Sequence, residues 1–394
     1  PGNYNKHQLF QTMKILLGEG LILTEGEVWK RHRKIISGSF HYEFLKSNTK
    51  VIQNTTKEFF DKITKEEMKN FDLMSHIQAI TGEVVGRLFF GEKLNDYQFE
   101  GRPLTIALAD LLSELGTSAS NPLVILFGPK FLTYPIVPKY RRMMERITEF
   151  RQLCIKIVED RKAQPVHGSD LLSSLLDNQS LSDSDLKLSD QEIIDEFITF
   201  FGAGMDTTGH LITMALYNLT QHPQYLESLK VERDATYNNK NANLAETVQD
   251  MNVLHCFLKE TLRFHTPAAL ISNCVALQDH KLGDLFVPKG MWVKPDFFAL
   301  MFHQKLWTEP EKFNPERWKA GAEKVDPYAY TPFAGGPRNC IGQHLAMMEA
   351  KIIISEFIGK FDYQLKDGYK LKMVYRFFNE PQDVLLLKLT PKSQ

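Results

Sequence analysis

Residues 331–342, TPFAGGPRNCIG, place a cysteine at the end of a glycine- and proline-rich turn, directly before a segment with helical periodicity. The spacing F-x-x-G-x-R-x-C-x-G is formed by Phe333, Gly336, Arg338, Cys340 and Gly342. Unpaired N–H groups at the start of a helix favour a thiolate, the form of cysteine that binds metals. Glycines let the backbone approach a flat ligand, and an arginine can pair with its carboxylate. A buried core position is the ordinary interpretation of a lone cysteine. Here all five positions of the spacing fall within ten residues and carry residue types that suit ligand binding, which favours a metal-binding sulfur.

This stretch resembles the haem-binding loop of the cytochrome P-450 family, the haem-thiolate monooxygenases. The resemblance runs from about Glu19 to the C-terminus, and the segment GLILTEGEVWKRHRKIISGSFH is similar to the eukaryotic microsomal type. The resemblance implies haem b (iron protoporphyrin IX) as cofactor, with Cys340 as the axial ligand of the iron. It also places Phe333, Arg338 and Gly342 in the haem-binding site. A thiolate ligand pushes electron density onto iron and favours cleavage of the O–O bond.

A second motif is E-x-x-R in KETLRFH, with Glu260 and Arg263 on one face of a predicted helix. Downstream, EKFNPERW contains Arg317. An ordinary ion pair at this helical spacing contributes only about 0.2–0.5 kcal/mol and would be a weak signal alone. The order of the three residues before Cys340 matches the family, in which they form a buried charge network that holds the fold around the cysteine loop.

The segment EGEVWKRHRKI contains W-x-x-x-R, with Trp29 and Arg33 one helical turn apart. The resemblance assigns both side chains to a haem propionate. An amphipathic basic helix is the alternative, and Lys30, Arg31 and Lys34 are predicted to be solvated charges that could face an electron donor.

The stretch FFGAGMDTTGH, residues 200–210, lies in a long predicted helix and contains A-G-x-D-T-T. Small residues such as Ala203 and Gly204 let a substrate approach the helix closely. The resemblance implies a catalytic pair in which Asp206 relays protons and Thr207 acts during oxygen activation. A helix with two polar residues beside a glycine is the alternative reading.

The predicted substrate pocket is apolar. By resemblance, its candidate residues are Ala203, Ala268, Ala269, Leu270 and Ile271. These small or aliphatic residues suit a lipid, fatty-acid or sterol-like molecule without selecting one, and ordinary core positions are an equally good interpretation of each.

Most of the chain has apolar residues at three- and four-residue steps, which predicts helices over 51–63, 76–91 and 139–163. A capping box of Ser189 and Glu192 opens the long helix, which His222-Pro223 ends. Short strand patterns occur at 269–276, 289–295 and 383–390. We therefore expect a mainly α protein with small β-sheets. The resemblance implies one cytochrome P-450 domain over 1–394, without the N-terminal anchor, first helix and first strands.

Composition excludes several other classes of protein. The 394 residues carry a formal net charge of −1, so nothing indicates a nucleic-acid partner. The four cysteines are far apart, which excludes zinc knuckles and a dense disulfide framework. No stretch approaches the ~20 apolar residues of a membrane span. The apolar segment 121–137 is interrupted by prolines and a glycine, which predicts a loop or a short helix with an apolar surface.

The resemblance implies a monooxygenase that takes electrons from NADPH through a cytochrome reductase or similar donor. It also implies a membrane surface at the cytosolic face of the endoplasmic reticulum for the intact protein, with a mitochondrial membrane as the alternative. Two other functions remain open. A haem-thiolate peroxide isomerase or dehydratase would need no reductase, but Asp206 and Thr207 argue against it. The second alternative function is that of a non-catalytic haem-bearing subunit of a larger assembly.

Overall fold

Helices dominate the chain and the strands are short, which confirms the predicted mainly α fold with small β-sheets. The computed structural model describes residues 3–6, 12–134, 137–164, 170–179, 187–237, 243–268, 274–322, 325–375 and 378–392. The chain divides into two units: Pro1–Ser39, Phe89–Ala203 and Ala269–Asp296 form the first, and Phe40–Leu88, Gly204–Ala268 and Phe297–Gln394 form the second. A single domain over 1–394 therefore stays a prediction.

The helices are numbered in chain order. They are α1 Lys14–Leu17, α2 Gly26–Ser37, α3 Tyr42–Lys62, α4 Leu73–Val85, α5 Leu104–Ala119, α6 Pro122–Phe127, α7 Pro138–Lys162, α8 Leu171–Asn178, α9 Asp190–Gln221, α10 Pro223–Tyr237, α11 Leu244–Gln249, α12 Asn252–Phe264, α13 Phe297–Met301 and α14 Gln343–Lys360. The residues of α9 up to Ala203 belong to the first unit and those from Gly204 onward to the second.

The strands form small antiparallel sheets. They are β1 Tyr4–Lys6, β2 Phe71–Asp72, β3 Gln98–Phe99, β4 Arg102–Pro103, β5 Cys274–Ala276, β6 His280–Leu282, β7 Leu285–Val287, β8 Trp292–Val293, β9 Phe361–Leu365, β10 Met373–Tyr375, β11 Asn379–Pro381 and β12 Leu386–Pro391.

In the first unit, β5 lies between β1 and β8, and the hairpins β3–β4 and β6–β7 stand apart from this sheet. In the second unit, β12 lies between β2 and β9, with Leu387 opposite both Phe71 and Leu365. Strands β10 and β11 pair with each other. Strands β5, β8 and β12 lie in or overlap the predicted strand segments, although 269–273 fall outside the described residues.

Local sequence signals explain the ends of α9. The Ser189 backbone N–H donates to Glu192 Oε2 at 2.8 Å, and the Glu192 N–H donates back to Ser189 Oγ at 3.3 Å. This is the predicted capping box, in which two otherwise unpaired donors are satisfied. The helix ends at Gln221, and α10 begins at Pro223, because a proline is tolerated in the first turn of a helix but not in its interior.

The core of the second unit is aromatic where α14 meets the sheet. The rings of Phe60, Phe357 and Phe361 are mutually in contact, with centroids 5.5–5.7 Å apart. Each ring is almost completely buried, which stabilises the fold by roughly 1.5–3 kcal/mol per side chain. In the first unit, Phe197 of α9 packs against Phe90 at 4.3 Å between centroids. These contacts fix the helices that carry the site residues.

The apolar segment 121–137 forms α6 and then a short 3-10 helix, Pro129–Thr133, and residues 135–136 lie outside the described residues. Leu123, Ile125, Leu126 and Phe127 are exposed, with Leu126 exposed to 73%. Within the part of the chain described, no helix is both long enough and apolar enough to cross a bilayer.

Candidate functional site

The cysteine loop is held by its own backbone. The Cys340 N–H donates to the Phe333 carbonyl at 2.9 Å, and Asn339 N–H donates to the Gly336 carbonyl at 3.1 Å. Ala334 and Gly336 have positive φ values of 57° and 71°, so the turn needs two residues in the left-handed region. Glycine takes this conformation without strain, which explains Gly336. The sulfur is therefore placed by local geometry, just before α14.

Cys340 differs from the other cysteines in its surroundings. Its side chain is exposed, whereas Cys154 and Cys256 are buried. Burial raises the pKa of the Cys154 thiol and that of Cys256, which disfavours their thiolates. Free cysteines are usually buried, so an exposed thiol on an ordered turn indicates a role in binding.

The loop also fits a planar macrocycle. A Cβ atom added at Gly335 or Gly336 would meet no atom within 4 Å, so this face of the loop presents bare backbone. A soft thiolate ligand on a loop with open space at its two glycines matches the donor chemistry of a haem bound through cysteine. Among the predicted haem-binding residues of this loop, Arg338 is exposed, and Phe333 and Gly342 are half-buried.

Glu260, Arg263 and Arg317 meet in one buried cluster of the second unit. Arg263 donates to both carboxylate oxygens of Glu260, from Nη2 at 2.9 Å and from Nε at 3.1 Å. Arg317 Nε donates to Glu260 Oε1 at 3.1 Å. The side chains of Glu260 and Arg263 are 0% exposed. The pair is therefore a fully buried, two-pronged ion pair rather than a surface contact.

Sequence reasoning missed the rest of this cluster. Trp318 Nε1 donates to Glu260 Oε2 at 2.8 Å, and the Asn314 N–H donates to Oε1 at 2.8 Å. Arg263 Nη1 also donates to the Met301 carbonyl at 2.8 Å. The cluster ties α12, α13 and the segment around Arg317 together. Of these additional residues, only Trp318 could have been suspected from the sequence, because it is adjacent to Arg317.

Asp206 and Thr207 occupy different environments on α9. Asp206 is 4% exposed, and its Oδ1 accepts a hydrogen bond from Gln78 Nε2 of α4. Thr207 and Ala203 are half-buried and lie four residues apart. Burial, together with the charge of Glu380, raises the pKa of Asp206 to about 7. The carboxyl group can thus both hold and release a proton near neutral pH.

Gly204 has a packing role that the sequence did not reveal. A Cβ atom at this position would lie 2.7 Å from Val85 Cγ2 of α4. Glycine is therefore required for the close approach of α4 to α9, in addition to any room that it leaves for a ligand.

The helix α2 carries Trp29 and Arg33, the residues predicted to bind a propionate. They lie one helical turn apart, as predicted, and both are half-buried. Lys30 and Lys34 are exposed, in line with the prediction. The prediction of a solvated Arg31 is wrong, because its guanidinium pairs with Glu192 of α9 and donates to the Lys187 carbonyl.

His32, to which the sequence analysis assigned no role, anchors α2 to the first turns of α9. Its Nδ1 lies 2.7 Å from Glu196 Oε1 and its Nε2 lies 3.1 Å from Glu192 Oε1. Burial alone would lower the pKa of His32, but hydrogen bonds and charge from the two glutamates outweigh it and raise the pKa. Glu196 also accepts the Leu21 N–H at 3.1 Å. Nothing in the spacing W-x-x-x-R indicated this buried pair.

The His32→Ala variant is expected to lose about 3 kcal/mol of unfolding free energy, because removing one partner leaves Glu196 buried without its counter-charge. The raised pKa of His32 means that the protonated imidazole contributes its full stability below pH 6.5, its ordinary value, and that this contribution is lost as pH rises through the folded pKa. Burial also raises the pKa of Glu196, although its contact with His32 opposes this shift. The loss should therefore be larger at about pH 6 than at about pH 9, as measured by urea unfolding.

Lys30→Ala on the same helix is the matched control, because its pair with Glu27 is exposed to solvent and should contribute little. A loss for His32→Ala that does not vary with pH would show that the imidazole stabilises only through packing.

The substrate-pocket candidates are only partly described. Ala268 is half-buried, just after Pro267, whose carbonyl accepts the Asn379 N–H at 2.8 Å. Ala269, Leu270 and Ile271 lie outside the described residues. The assignment of these positions to a pocket stays a prediction.

Comparison with known proteins decides the family. The family model for cytochrome P-450 matches residues 2–391. The chain is a cytochrome P-450. It is 30% identical over 389 residues to a cytokinin hydroxylase of Arabidopsis thaliana, covering 97% of this chain and 73% of that protein. It is also 31% identical over 394 residues to cytochrome P-450 3A31 of Mesocricetus auratus, covering 96% and 76%.

Solved structures agree on the fold of this cytochrome P-450. The crystal structure of the cytochrome P-450DA heme domain superposes with a TM-score of 0.83 at 23% identity, covering 99% of this chain and 84% of that one. A mutant of the same heme domain gives a TM-score of 0.85 at 24% identity. The predicted family and fold are confirmed. The chain is accordingly a haem-binding oxidoreductase of the monooxygenase class.

Proposed function

We propose that this cytochrome P-450 inserts one atom of dioxygen into an apolar organic molecule, using electrons from NADPH delivered by a reductase. The observation that carries the proposal is the buried Asp206, whose pKa is raised to about 7, directly beside the half-buried Thr207. A reaction that only rearranges a peroxide needs no proton delivery, whereas reduction of dioxygen consumes protons. A proton-holding carboxyl group therefore supports the monooxygenase.

The chain's own residues have separate tasks. By resemblance, the Cys340 thiolate would ligate the haem iron, and Arg338, Trp29 and Arg33 would hold the haem propionates. When bound, haem supplies the activation of dioxygen. Asp206 holds a proton in a site largely shielded from water, and the Thr207 hydroxyl passes it on. By resemblance, Ala203 and Ala268 are assigned to the binding of an apolar substrate of lipid, fatty-acid or sterol type.

The Thr207→Ala variant tests this function. With NADPH and a reductase, the product formed per NADPH should fall at least ~10-fold and hydrogen peroxide should rise, because a positioned proton donor typically contributes a factor of 10²–10⁴. Thr207→Ser keeps the hydroxyl and should restore most of the yield. The neighbouring Thr208→Ala serves as a control. Unchanged yield in Thr207→Ala would contradict the role of its hydroxyl, and NADPH-independent conversion of a peroxide would favour the rearrangement.

We also propose that the protein contacts a membrane surface, in keeping with the endoplasmic reticulum location implied by its microsomal resemblance. The exposed apolar side chains of α6, with Phe127 exposed to 62% and Leu126 to 73%, support this placement. Apolar side chains at this density are more stable in the interfacial region of a bilayer than in water. Replacing Leu126 and Phe127 by serine should reduce co-sedimentation with neutral lipid vesicles.

A further inference from the structure

Gln78 connects α4 to the acidic residue of α9. Its Nε2 donates to Asp206 Oδ1, and both side chains are at least nine-tenths buried. Gln78 and Asp206 are 128 positions apart in the chain. Both residues belong to the second unit, so the contact lies within one body.

The packing of α4 on α9 leaves Gln78 little freedom. A Cβ atom at Gly209 would lie 3.0 Å from Gln78 Cγ, so the glycine lets the stem of Gln78 lie directly on α9. One turn along α4, Thr81 Oγ1 lies 2.8 Å from the Met205 carbonyl oxygen and can donate to it. These two contacts hold α4 close to α9 beside Asp206, where the Gln78 amide donates to the carboxyl group.

The chemistry of an amide matters at this position. A lysine or arginine there would form an ion pair with Asp206 and keep its carboxyl group ionised, because a nearby opposite charge lowers the pKa of a carboxyl group by about 1–3 units. The amide of Gln78 orients the carboxyl group by a hydrogen bond but carries no charge. The carboxyl group therefore keeps its ability to be protonated.

We propose that Gln78 is a positioning residue that fixes the Asp206 carboxyl group in the orientation needed for proton delivery. This inference rests on the proposed function of Asp206 and names the residue that supports it. Gln78 is assigned no contact with the substrate or the haem and acts only through Asp206.

The direction of the pH effect follows from the groups around Asp206. Burial and the negative charge of Glu380 on β11 raise its pKa, and the hydrogen bond from Gln78 lowers it. His210, one turn along α9, is neutral near pH 7 because burial lowers its pKa to about 4. The net result is a carboxyl group protonated below about pH 7 and ionised above it. Removing the donor at position 78 should therefore move this midpoint upward.

The test is an infrared titration of the ferric, haem-loaded protein without turnover. The carbonyl stretching band of protonated Asp206 is the band that disappears in Asp206→Asn. In Gln78→Met, which keeps the length and apolar packing of the side chain, the midpoint of this band should rise by about one pH unit, since a hydrogen bond to a charged acceptor changes the proton-binding constant roughly tenfold. Gln78→Leu is a second variant in case one of the two folds poorly.

Gln78→Lys should shift the midpoint in the opposite direction, because it places a cation beside the carboxylate. Gln53→Leu is the matched control, since Gln53 also donates to a carboxylate, Glu356 Oε1 at 2.6 Å, on other helices of the same unit. It should leave the Asp206 band unchanged. An unchanged midpoint in Gln78→Met and Gln78→Leu would overturn the inference.

Coupling measurements separate this inference from the proposed function. If Asp206→Asn does not lower the product formed per NADPH, the relay itself is wrong. If Asp206→Asn lowers the yield but Gln78→Met retains it, the relay stands and only the role of Gln78 fails. We expect both variants to lower the yield, with an effect several-fold smaller in Gln78→Met.

Discussion

Replacing Cys340 by alanine should abolish both the carbon monoxide spectrum of thiolate-ligated haem and the monooxygenase reaction. Among the cysteines, Cys154 and Cys256 are buried, and burial raises their pKa values and disfavours their thiolates. Cys340 is exposed on a turn whose backbone holds it through the 2.9 Å bond to Phe333. No rearrangement of the loop is needed to present its sulfur.

The magnitude of the effect comes from the ligand. Axial ligands set haem reduction potentials over a range of ~0.8 V, and thiolate in particular favours O–O cleavage. In Cys340→Ala we expect product formation to fall to background, and any haem that remains bound should give the band of histidine-ligated or damaged haem. Cys340→His would keep a metal ligand and should bind haem, but it should not restore the reaction.

The absorption spectrum of the dithionite-reduced protein with carbon monoxide provides the measurement. Cys274→Ala is the control, because this half-buried cysteine lies on β5, outside the haem loop, and its removal should leave the thiolate band in place. A thiolate band that survives in Cys340→Ala would show that another cysteine ligates the iron.

The second large effect is expected from Glu260→Ala, which should destabilise the protein by about 3–5 kcal/mol. Five N–H groups point at this one buried carboxylate: two from Arg263, and one each from Arg317, Trp318 and the Asn314 backbone. Without the carboxylate, the guanidinium groups of Arg263 and Arg317 would both lose the counter-charge that they share, and Arg263 is completely buried. Such a loss is a large part of the 5–15 kcal/mol typical of a folded domain.

Glu260→Gln should be nearly as damaging as Glu260→Ala. Both carboxylate oxygens accept at least two hydrogen bonds, so the amide nitrogen of a glutamine would face donors in either orientation. Trp318→Phe removes a single donor and the five-membered part of the indole but keeps an aromatic ring, and we expect a smaller loss of about 1.5 kcal/mol. Urea unfolding, with haem retention recorded in parallel, measures this graded series.

Glu316→Gln supplies the control for this cluster. Glu316 is a glutamate in the same segment that pairs at the surface with Lys319, with both side chains at least half exposed. It should unfold like the parent protein. If Glu260→Ala were as stable as Glu316→Gln, the buried cluster would have no part in holding the fold.

Short-range patterns in the sequence predicted the local parts of the site. The capping box of Ser189 and Glu192 formed as expected, and the E-x-x-R spacing placed Glu260 and Arg263 in contact. Both depend only on residues three positions apart, and helix geometry alone brings such residues together. The cysteine loop is similar, because its turn is closed by hydrogen bonds within ten residues of chain.

Other contacts were decided only by the tertiary structure. Gln78 reaches Asp206, and His32 reaches Glu196, across separations of 128 and 164 residues. No local pattern distinguishes either residue from an ordinary polar residue of a helix. For Gln78 and Asp206, the close approach of α4 to α9 at Gly204 and Gly209 brings the two side chains together. The pKa of Asp206 follows from this burial, since desolvation is its first cause.

The sequence by itself therefore predicted the family, which the comparisons confirm, and it located the candidate ligand cysteine and the catalytic candidates, whose roles stay predictions. These depend on residue identity and on spacings shorter than about three helical turns. The tertiary structure alone decided which groups orient and tune those candidates: the Gln78 amide on Asp206, the glutamate pair on His32 and the full set of donors to Glu260. The physical reason is that orientation and pKa depend on burial and on neighbours from distant segments, and only packing brings those together.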